Sequence, residues 1–367
     1  MEMKQAPERY PFGCFFCLGF STIFPPKFVI CAVFTEIKGE KQKSMLTKLT
    51  EKIIFKVNRR YTFLAGRRQE DTCVKAVSER KRPMAETKRQ LLRRKLKEKT
   101  VYAPFVYDGM TAILAEKTGN EAVYLTGFGT AATHGLADVG LITLTEISQR
   151  VRIIDRSCGL PVIADADTGY GNYTNVMRTV QEYEHAGVAA LHLEDQRWPK
   201  RCGYMANKQL IDKEEATNKI KAAVDARVDP DLIIIARTDA LAVNGWDDVE
   251  DRLGSYVEAG ADMVFVDGIK TLEHVEQYCK RLSKYACVFN NVPNLPMDRC
   301  DDFGTFPLVL NSGPMSLGWM AYEEAARRFA QTGNAPEIDM GAYFDHLLDV
   351  MQVQYYFDVD QKYSAGE

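Results

Sequence analysis

The chain has 367 residues, 46% of them hydrophobic and 26% charged, enough to bury a full core in one to three domains. Its formal net charge of −3 gives no reason to expect nucleic acid as a partner. The charge is unevenly placed: residues 1–83 hold 17 Lys and Arg against 8 Asp and Glu, and residues 84–367 hold 30 against 42, a pattern of an appended arm on a separate globular body.

The arm comes first. "PFGCFFCLGFSTIFPPKFVICAVF" (11–34) is apolar, but Pro25, Pro26 and Lys27 break it before about 20 residues accumulate. Glu2, Glu8 and the lack of a small-residue cleavage site do not suit a signal peptide. The stretch to Arg82 is basic and has little periodicity. We expect a disordered arm, or residues ahead of a true start at Met84; organelle targeting and a membrane anchor are the alternatives. A cytoplasmic protein without stable membrane association is expected. The nine cysteines agree: Cys14 and Cys17 form a CxxC with no second pair to complete a zinc site. Scattered thiols in a long chain suit a reducing compartment, with Cys158, Cys279 and Cys287 as core filler.

From Met84 the pattern becomes regular. "MAETKRQLLRRKLKEK" (84–99) reads as an N-terminal helix. Apolar runs then recur at 101–108, 122–127, 160–167, 189–195, 232–239, 263–268, 287–291 and 306–312. Runs apolar on both faces suit parallel strands covered on two sides. Amphipathic stretches at 173–186, 213–226, 246–259, 271–282 and 316–331 lie between or after them. "HAGVAALHL" and "EAGADMVFV" repeat one helix–Gly–strand phrase, the mark of successive αβ units. Eight such strands predict an α/β fold, a (β/α)₈ TIM barrel over roughly 100–315 with a helical C-terminal extension; a doubly wound sheet is the runner-up.

Nearly every run ends in a polar residue: Asp108, Thr126, Asp165 with Asp167, His192 with Glu194, Arg237 with Asp239, Asp267, Asn290 with Asn291, and Asn311 with Ser312. In a barrel those ends meet at the face where such enzymes work. Helix capping would explain two or three of them.

The chemistry follows from residue types. In "DADTGYGN" (165–172), Asp165 and Asp167 share one face of a strand end, and two convergent carboxylates suit Mg²⁺, with Mn²⁺ as the alternative. His192 and Glu194 share a face, and Glu194 could hold a metal-bound water; a hydrogen-bonded core histidine is the bland reading of His192. Arg237 closes a strongly apolar strand, where a guanidinium either grips a substrate carboxylate or pairs with Asp239 or Asp267. "YLTGFGTA" (124–131) offers the Thr126 hydroxyl and the N–H groups of Gly127 and Phe128 to an enolate or carboxylate oxygen. In "WPKRCGYMANKQ" (198–209), Lys200 and Arg201 flank Cys202, and neighbouring cations lower a thiol pKa. A thiol poised near neutrality can move a proton at carbon.

These stretches, "DADTGYGN", "AALHLEDQ", "PKRCG" and "ARTDALAV", resemble the isocitrate lyase and phosphoenolpyruvate mutase superfamily from about residue 88 to 330, nearest its 2-methylisocitrate lyase branch. The resemblance implies a barrel, Mg²⁺, a small-molecule substrate built on a 2-hydroxy acid dianion, and homotetramers whose subunits exchange the last barrel helix. It implies that Asp165 holds Mg²⁺ with Asp138 and Asp167 through waters. Arg237, Thr126, Gly127 and Phe128 would hold the α-keto acid part, and His192, Asp267 and Asn291 would line the substrate. Cys202 would be the proton donor, kept in place with the substrate by Lys200 and Arg201, in a loop (196–212) that closes as a gate and brings Gly203 and Tyr204 over the substrate. Two positions depart from the pattern: the signature K-[KR]-C-G-H has Tyr204 in place of its histidine, and Asp267 stands where relatives carry glutamate. The expected activity is cleavage of a 2-hydroxy di- or tricarboxylate to an α-keto acid such as pyruvate plus a dicarboxylate such as succinate. The alternative is oxaloacetate hydrolysis or decarboxylation on the same enolate-stabilising site.

Overall fold

Eight parallel strands pair in chain order and close on themselves, β8 returning to β1. They are β1 Val101–Val106, β2 Val123–Leu125, β3 Val162–Asp165, β4 Ala190–Glu194, β5 Ile233–Thr238, β6 Met263–Val266, β7 Cys287–Asn291 and β8 Leu308–Asn311. This computed structural model describes residues 86–291, 306–334 and 338–364. The chain divides into two units, Met1–Met84 and Ala85–Glu367. The described residues belong to the second; the arm expected before Met84 lies outside them.

Among the described residues the α-helices are α1 Lys88–Glu98, α2 Gly109–Lys117, α3 Gly127–Thr133, α4 Leu144–Ser157, α5 Tyr173–Ala186, α6 Lys213–Ala226, α7 Trp246–Glu258, α8 Leu272–Leu282, α9 Gly313–Thr332, α10 Met340–Val350 and α11 Val353–Ser364. The expected (β/α)₈ barrel is therefore the observed fold, with α10 and α11 as the C-terminal extension. Local chemistry sets many boundaries. Thr87, Asp108, Thr143 and Asn172 each accept a backbone N–H at a helix start. Gly187, at φ 102°, ends α5 in the left-handed conformation that glycine adopts most readily.

Two apolar layers result. Ile147, Val151, Val180, Leu253 and Tyr278 fill the space between strands and helices. Inside the barrel, Val101, Ala103, Ile163, Ala190, Ile233, Met263, Val288 and Leu308 form a separate cluster that includes Leu92 of α1. That helix closes the N-terminal end: Leu92 is fully buried, Arg89 donates to the carbonyls of Val188 and Glu184, and Arg93 donates to that of Asp231. Burying one such leucine is worth about 1.5–3 kcal/mol. The charged residues that close the strands lie at the opposite end. Among the described residues no helix is long and apolar enough to cross a membrane.

Candidate active site

Successive strand residues face opposite sides, so each strand sends alternate residues inward. In β3 those are Ile163 and Asp165; in β4, Ala190, His192 and Glu194; in β5, Ile233, Ile235 and Arg237. The lower inward positions are apolar and the topmost are charged. Between them lies an aromatic floor. The His192 ring stacks on Tyr124 at 5.7 Å and meets Phe265 edge-on at 5.6 Å. His192 Nε2 shares a 2.7 Å hydrogen bond with the Tyr124 hydroxyl and lies 3.6 Å from Asp165 Oδ1. Burial pushes its pKa down to about 4, so it is neutral at pH 7. Expected against the substrate, His192 is only 1% exposed and sits beneath Asp165.

Above the floor the acids gather. Asp165 accepts the N–H of Asp167 at 2.9 Å and that of Gly127 at 3.3 Å. Burial would raise its pKa, but His192, Lys200 and Arg237 together hold it below the ordinary value. Asp167 adopts the left-handed region at φ 45°, unusual for a residue with a side chain. The hydrogen bond from Glu194 N to its carbonyl, at 2.9 Å, helps fix that turn. Burial raises Asp167 to about 6 despite Lys200. Lys200 Nζ bonds Asp138 and lies 2.8 Å from Asp167 Oδ1, which has no aligned hydrogen-bond donor. The three carboxylates expected at a metal are thus brought together, with an ammonium between two of them.

Arg237 forms the other half. Its Nε donates to Asp239 Oδ2 at 3.0 Å, and Nη2 lies 3.2 Å from Glu194 Oε2 and 3.4 Å from Asp267 Oδ1. The pairing with Asp239 and Asp267, one of the two alternatives for this arginine, is observed, and Arg237 is the last inward-facing residue of β5. Both Glu194 oxygens are buried without an aligned donor, and burial pushes this carboxyl well above its usual range against Arg237 and Lys200.

The loop after β4 crosses this mouth. Its stem is zipped by Arg197 N to Gln209 O at 2.7 Å and Ile211 N to Asp195 O at 3.0 Å. Gln196 grips the Arg201 backbone through both N and O at 2.9 Å. Cys202 N donates to Asp138 O at 3.1 Å, and the residue is 8% exposed. Its thiol is not poised near neutrality. Burial and Asp138 push it up to about 11 although Lys200 and a backbone hydrogen bond at Tyr204 act to lower it, and the exposed Arg201 guanidinium bonds Ala206 O at 3.1 Å. Gly203 has no room for a side chain: a Cβ there would lie 2.5 Å from Asp267 Oδ2. Tyr204 is 60% exposed and lines a small cavity with Asp267 and Asn290.

Thr126 caps α3, its hydroxyl accepting Gly129 N at 3.2 Å. A Cβ on Gly127 would lie 2.7 Å from Asp165 Oδ2, so glycine lets the backbone touch the acid. Phe128 leans on Trp319. Asn291 ends β7, and its side-chain oxygen is buried without a partner. Sequence reasoning passed over Asp195, Gln196 and Tyr124. Asp195 is buried and accepts from Thr238, Tyr256 and the Asp239 backbone. Only the acid pair in "HLED" hinted at it.

Residues 92–330 match the family model described as phosphoenolpyruvate phosphomutase. The chain is 45% identical over 285 residues to the 2,3-dimethylmalate lyase of Eubacterium barkeri, covering 73% of this chain and 95% of that one. It is 38% identical over 254 residues to the 2-methylisocitrate lyase of Aeropyrum pernix, covering 68% and 82%. The structure of oxaloacetate acetylhydrolase in complex with the inhibitor 3,3-difluorooxalacetate superposes with a TM-score of 0.71 at 30% identity, covering 77% and 98%.

Proposed function

The chain belongs to the isocitrate lyase/phosphoenolpyruvate mutase superfamily, whose members it resembles here include enzymes named as lyases, and from that membership we propose that it is a Mg²⁺-dependent carbon–carbon lyase acting on a 2-hydroxy di- or tricarboxylate of the dimethylmalate or methylisocitrate kind. The observation that carries the reading is a buried Cys202, its backbone N–H held by Asp138 O, on a loop spanning a ring of strand-end acids.

The residues fit a hard cation. Asp167 Oδ1 and both Glu194 oxygens are buried and lack aligned donors. Among the described residues no group of three or more acidic, histidine or cysteine side chains is placed to hold a metal ion, so an ion here would have to keep most of its waters and take one or two carboxylates. Asp165 and Asp167 would hold it, with Asp138 and Glu194 acting through water; Mn²⁺ would find the same oxygen donors. When bound, the ion supplies positive charge that stabilises the developing enolate.

This chain's own groups do the rest. Arg237 and the backbone N–H of Phe128 hold the α-keto acid portion. Glu194, in its ionised form beside Arg237, accepts the hydroxyl proton and afterwards releases it to solvent; the C2–C3 bond breaks, C2 becomes the ketone, and the electron pair stays on C3 as an enolate of the leaving carboxylate. Cys202 gives its proton to C3 and is reprotonated from solvent. Arg201 and Tyr204 stand at the rim, able to meet an outer carboxylate. The assembly is a homotetramer exchanging C-terminal helices, supported by the exposure of Leu317, Met320, Tyr322 and Phe329 on α9.

The test is product analysis by NMR. The protein with Mg²⁺ is incubated separately with 2,3-dimethylmalate, 2-methylisocitrate, isocitrate and oxaloacetate. Pyruvate or glyoxylate appearing with an equal amount of the second carboxylate supports the lyase. The second reading, an oxaloacetate hydrolase or decarboxylase, is favoured by the likeness to oxaloacetate acetylhydrolase; oxaloacetate as the one substrate consumed would establish it instead.

A further inference from the structure

Lys208 is a buried cation of the mouth that the reaction above does not use. It lies on the return limb of the loop, six residues beyond Cys202, and its side chain is 2% exposed. An ammonium buried so deeply has to satisfy its three donors. It does so on three different pieces of the fold: Gly203 O at 3.0 Å, Asp239 Oδ1 at 2.7 Å and Asp267 Oδ2 at 2.9 Å. Asp239 follows β5, Asp267 follows β6, and Gly203 is the residue after the thiol.

The two limbs of the loop are therefore tied down separately. On the outgoing limb, Lys200 reaches Asp138 and Asp167, and Cys202 N reaches Asp138 O. On the return limb, Asn207 stands in the left-handed region at φ 59°, turning the chain just before Lys208. Lys208 then reaches inward under the tip and holds the Gly203 carbonyl from below. Arg237 touches the same two aspartates, so the anchor of the loop and the guanidinium of the strand end share one pair of acids. Removing the ammonium would leave Asp267 with the more distant Arg237 alone and free the Gly203 peptide. It would not disturb the stem, which is zipped by backbone bonds and rooted through Asp195.

We propose that Lys208 is the positioning residue of the site: by clamping the Gly203 carbonyl to Asp239 and Asp267, it holds the loop shut over the barrel mouth and aims the Cys202 thiol. It makes no bond to the reacting atoms in this account. The meaning of that aim rests on the lyase reading, but the closure itself does not, and it is measurable without substrate.

The test uses the full-length protein and the variants Lys208→Met and Lys208→Gln, with iodoacetamide as the probe and peptide mass spectrometry as the readout. Cys202 is labelled slowly in the wild type, being buried and protonated. In Lys208→Met its labelling should accelerate at least tenfold, and trypsin should cut after Lys200 or Arg201 sooner. Labelling of the core thiols Cys158 and Cys287 should stay at the wild-type rate. Lys208→Gln, which keeps hydrogen bonding without charge, should fall between, and it carries the test if the methionine variant does not fold. On whichever substrate the wild type turns over, kcat should fall by tenfold or more while KM moves by less than threefold. A folded variant with wild-type Cys202 labelling overturns the proposal. So does acceleration shared by Cys158 and Cys287, which would mean general loosening. If no substrate is found, the labelling result still decides the loop while the lyase reading fails alone.

Discussion

Cys202 can donate a proton only while it keeps one. Burial and Asp138 raise its pKa to about 11, so it is a thiol throughout the neutral range. A serine there keeps the shape but is a much weaker acid. Cys202→Ser should lower kcat about 10²–10⁴-fold, the range of general acid–base catalysis, with little change in KM; steady-state kinetics checks this. Asp165 is a different case. It is not an exposed strand-end carboxylate but a buried one accepting two backbone N–H groups. Alanine would therefore strand those donors, at about 1–3 kcal/mol. Asp165→Asn is the cleaner change, expected to remove Mg²⁺-dependent turnover while thermal unfolding stays cooperative. His192 predicts a pH effect. Its folded pKa, about 4, lies below the ordinary 6.5. Between those values the unfolded chain binds a proton that the folded one refuses, so stability present above 6.5 is lost as pH falls toward 4. Asp167, raised to about 6, works in the opposite sense. Comparing wild type with His192→Asn isolates the first effect: the drop in Tm from about pH 7.5 to about pH 5 should be smaller in the variant.

At the scale of elements, the β3 end and the start of α3 form one unit, because Gly127 lies against Asp165. Gly127→Ala places a Cβ 2.7 Å from Asp165 Oδ2 and must push the acid or the helix aside. Binding of Mg²⁺, followed by calorimetry, should weaken about 10–100-fold, as when the partners orienting a ligand are altered. Much of this level was legible in the chain. Runs such as "LIIIARTD" showed both strand and polar terminus, since the hydrophobic stretch and the charge that ends it are adjacent in sequence. The sharing of Asp239 and Asp267 between Arg237 and Lys208 was not, because it joins residues up to 59 positions apart. The thiol was misjudged for the same reason. Lys200 does lower the thiol, but burial in the folded loop and Asp138, far off in sequence, outweigh it, and no local pattern reveals either.

For the whole molecule, the division of labour follows the barrel's two ends. α1 closes one with apolar and arginine contacts, and the other carries every group assigned to chemistry. The C-terminal helices leave a large apolar surface: Leu317 and Met320 on α9 are 66% and 64% exposed, and Tyr355, Tyr356 and Phe357 on α11 are exposed as well. It is the surface that the proposed assembly would cover. Light scattering should give four times the protomer mass, and Leu317→Glu with Met320→Glu should reduce it; a monomer in the unaltered protein would contradict the assembly proposed.

The lyase account stands most directly on where the proton at the cleaved carbon comes from. Wild type and Cys202→Ser, each with Mg²⁺, are incubated in D₂O with the substrate that the panel identifies, and both products are followed by NMR. The account predicts that the wild type forms the two products in equal amounts, with one deuterium at the former C3, and that the serine variant loses both together by about 10²-fold or more. Wild-type rates and the same deuterated product from the serine variant would contradict it.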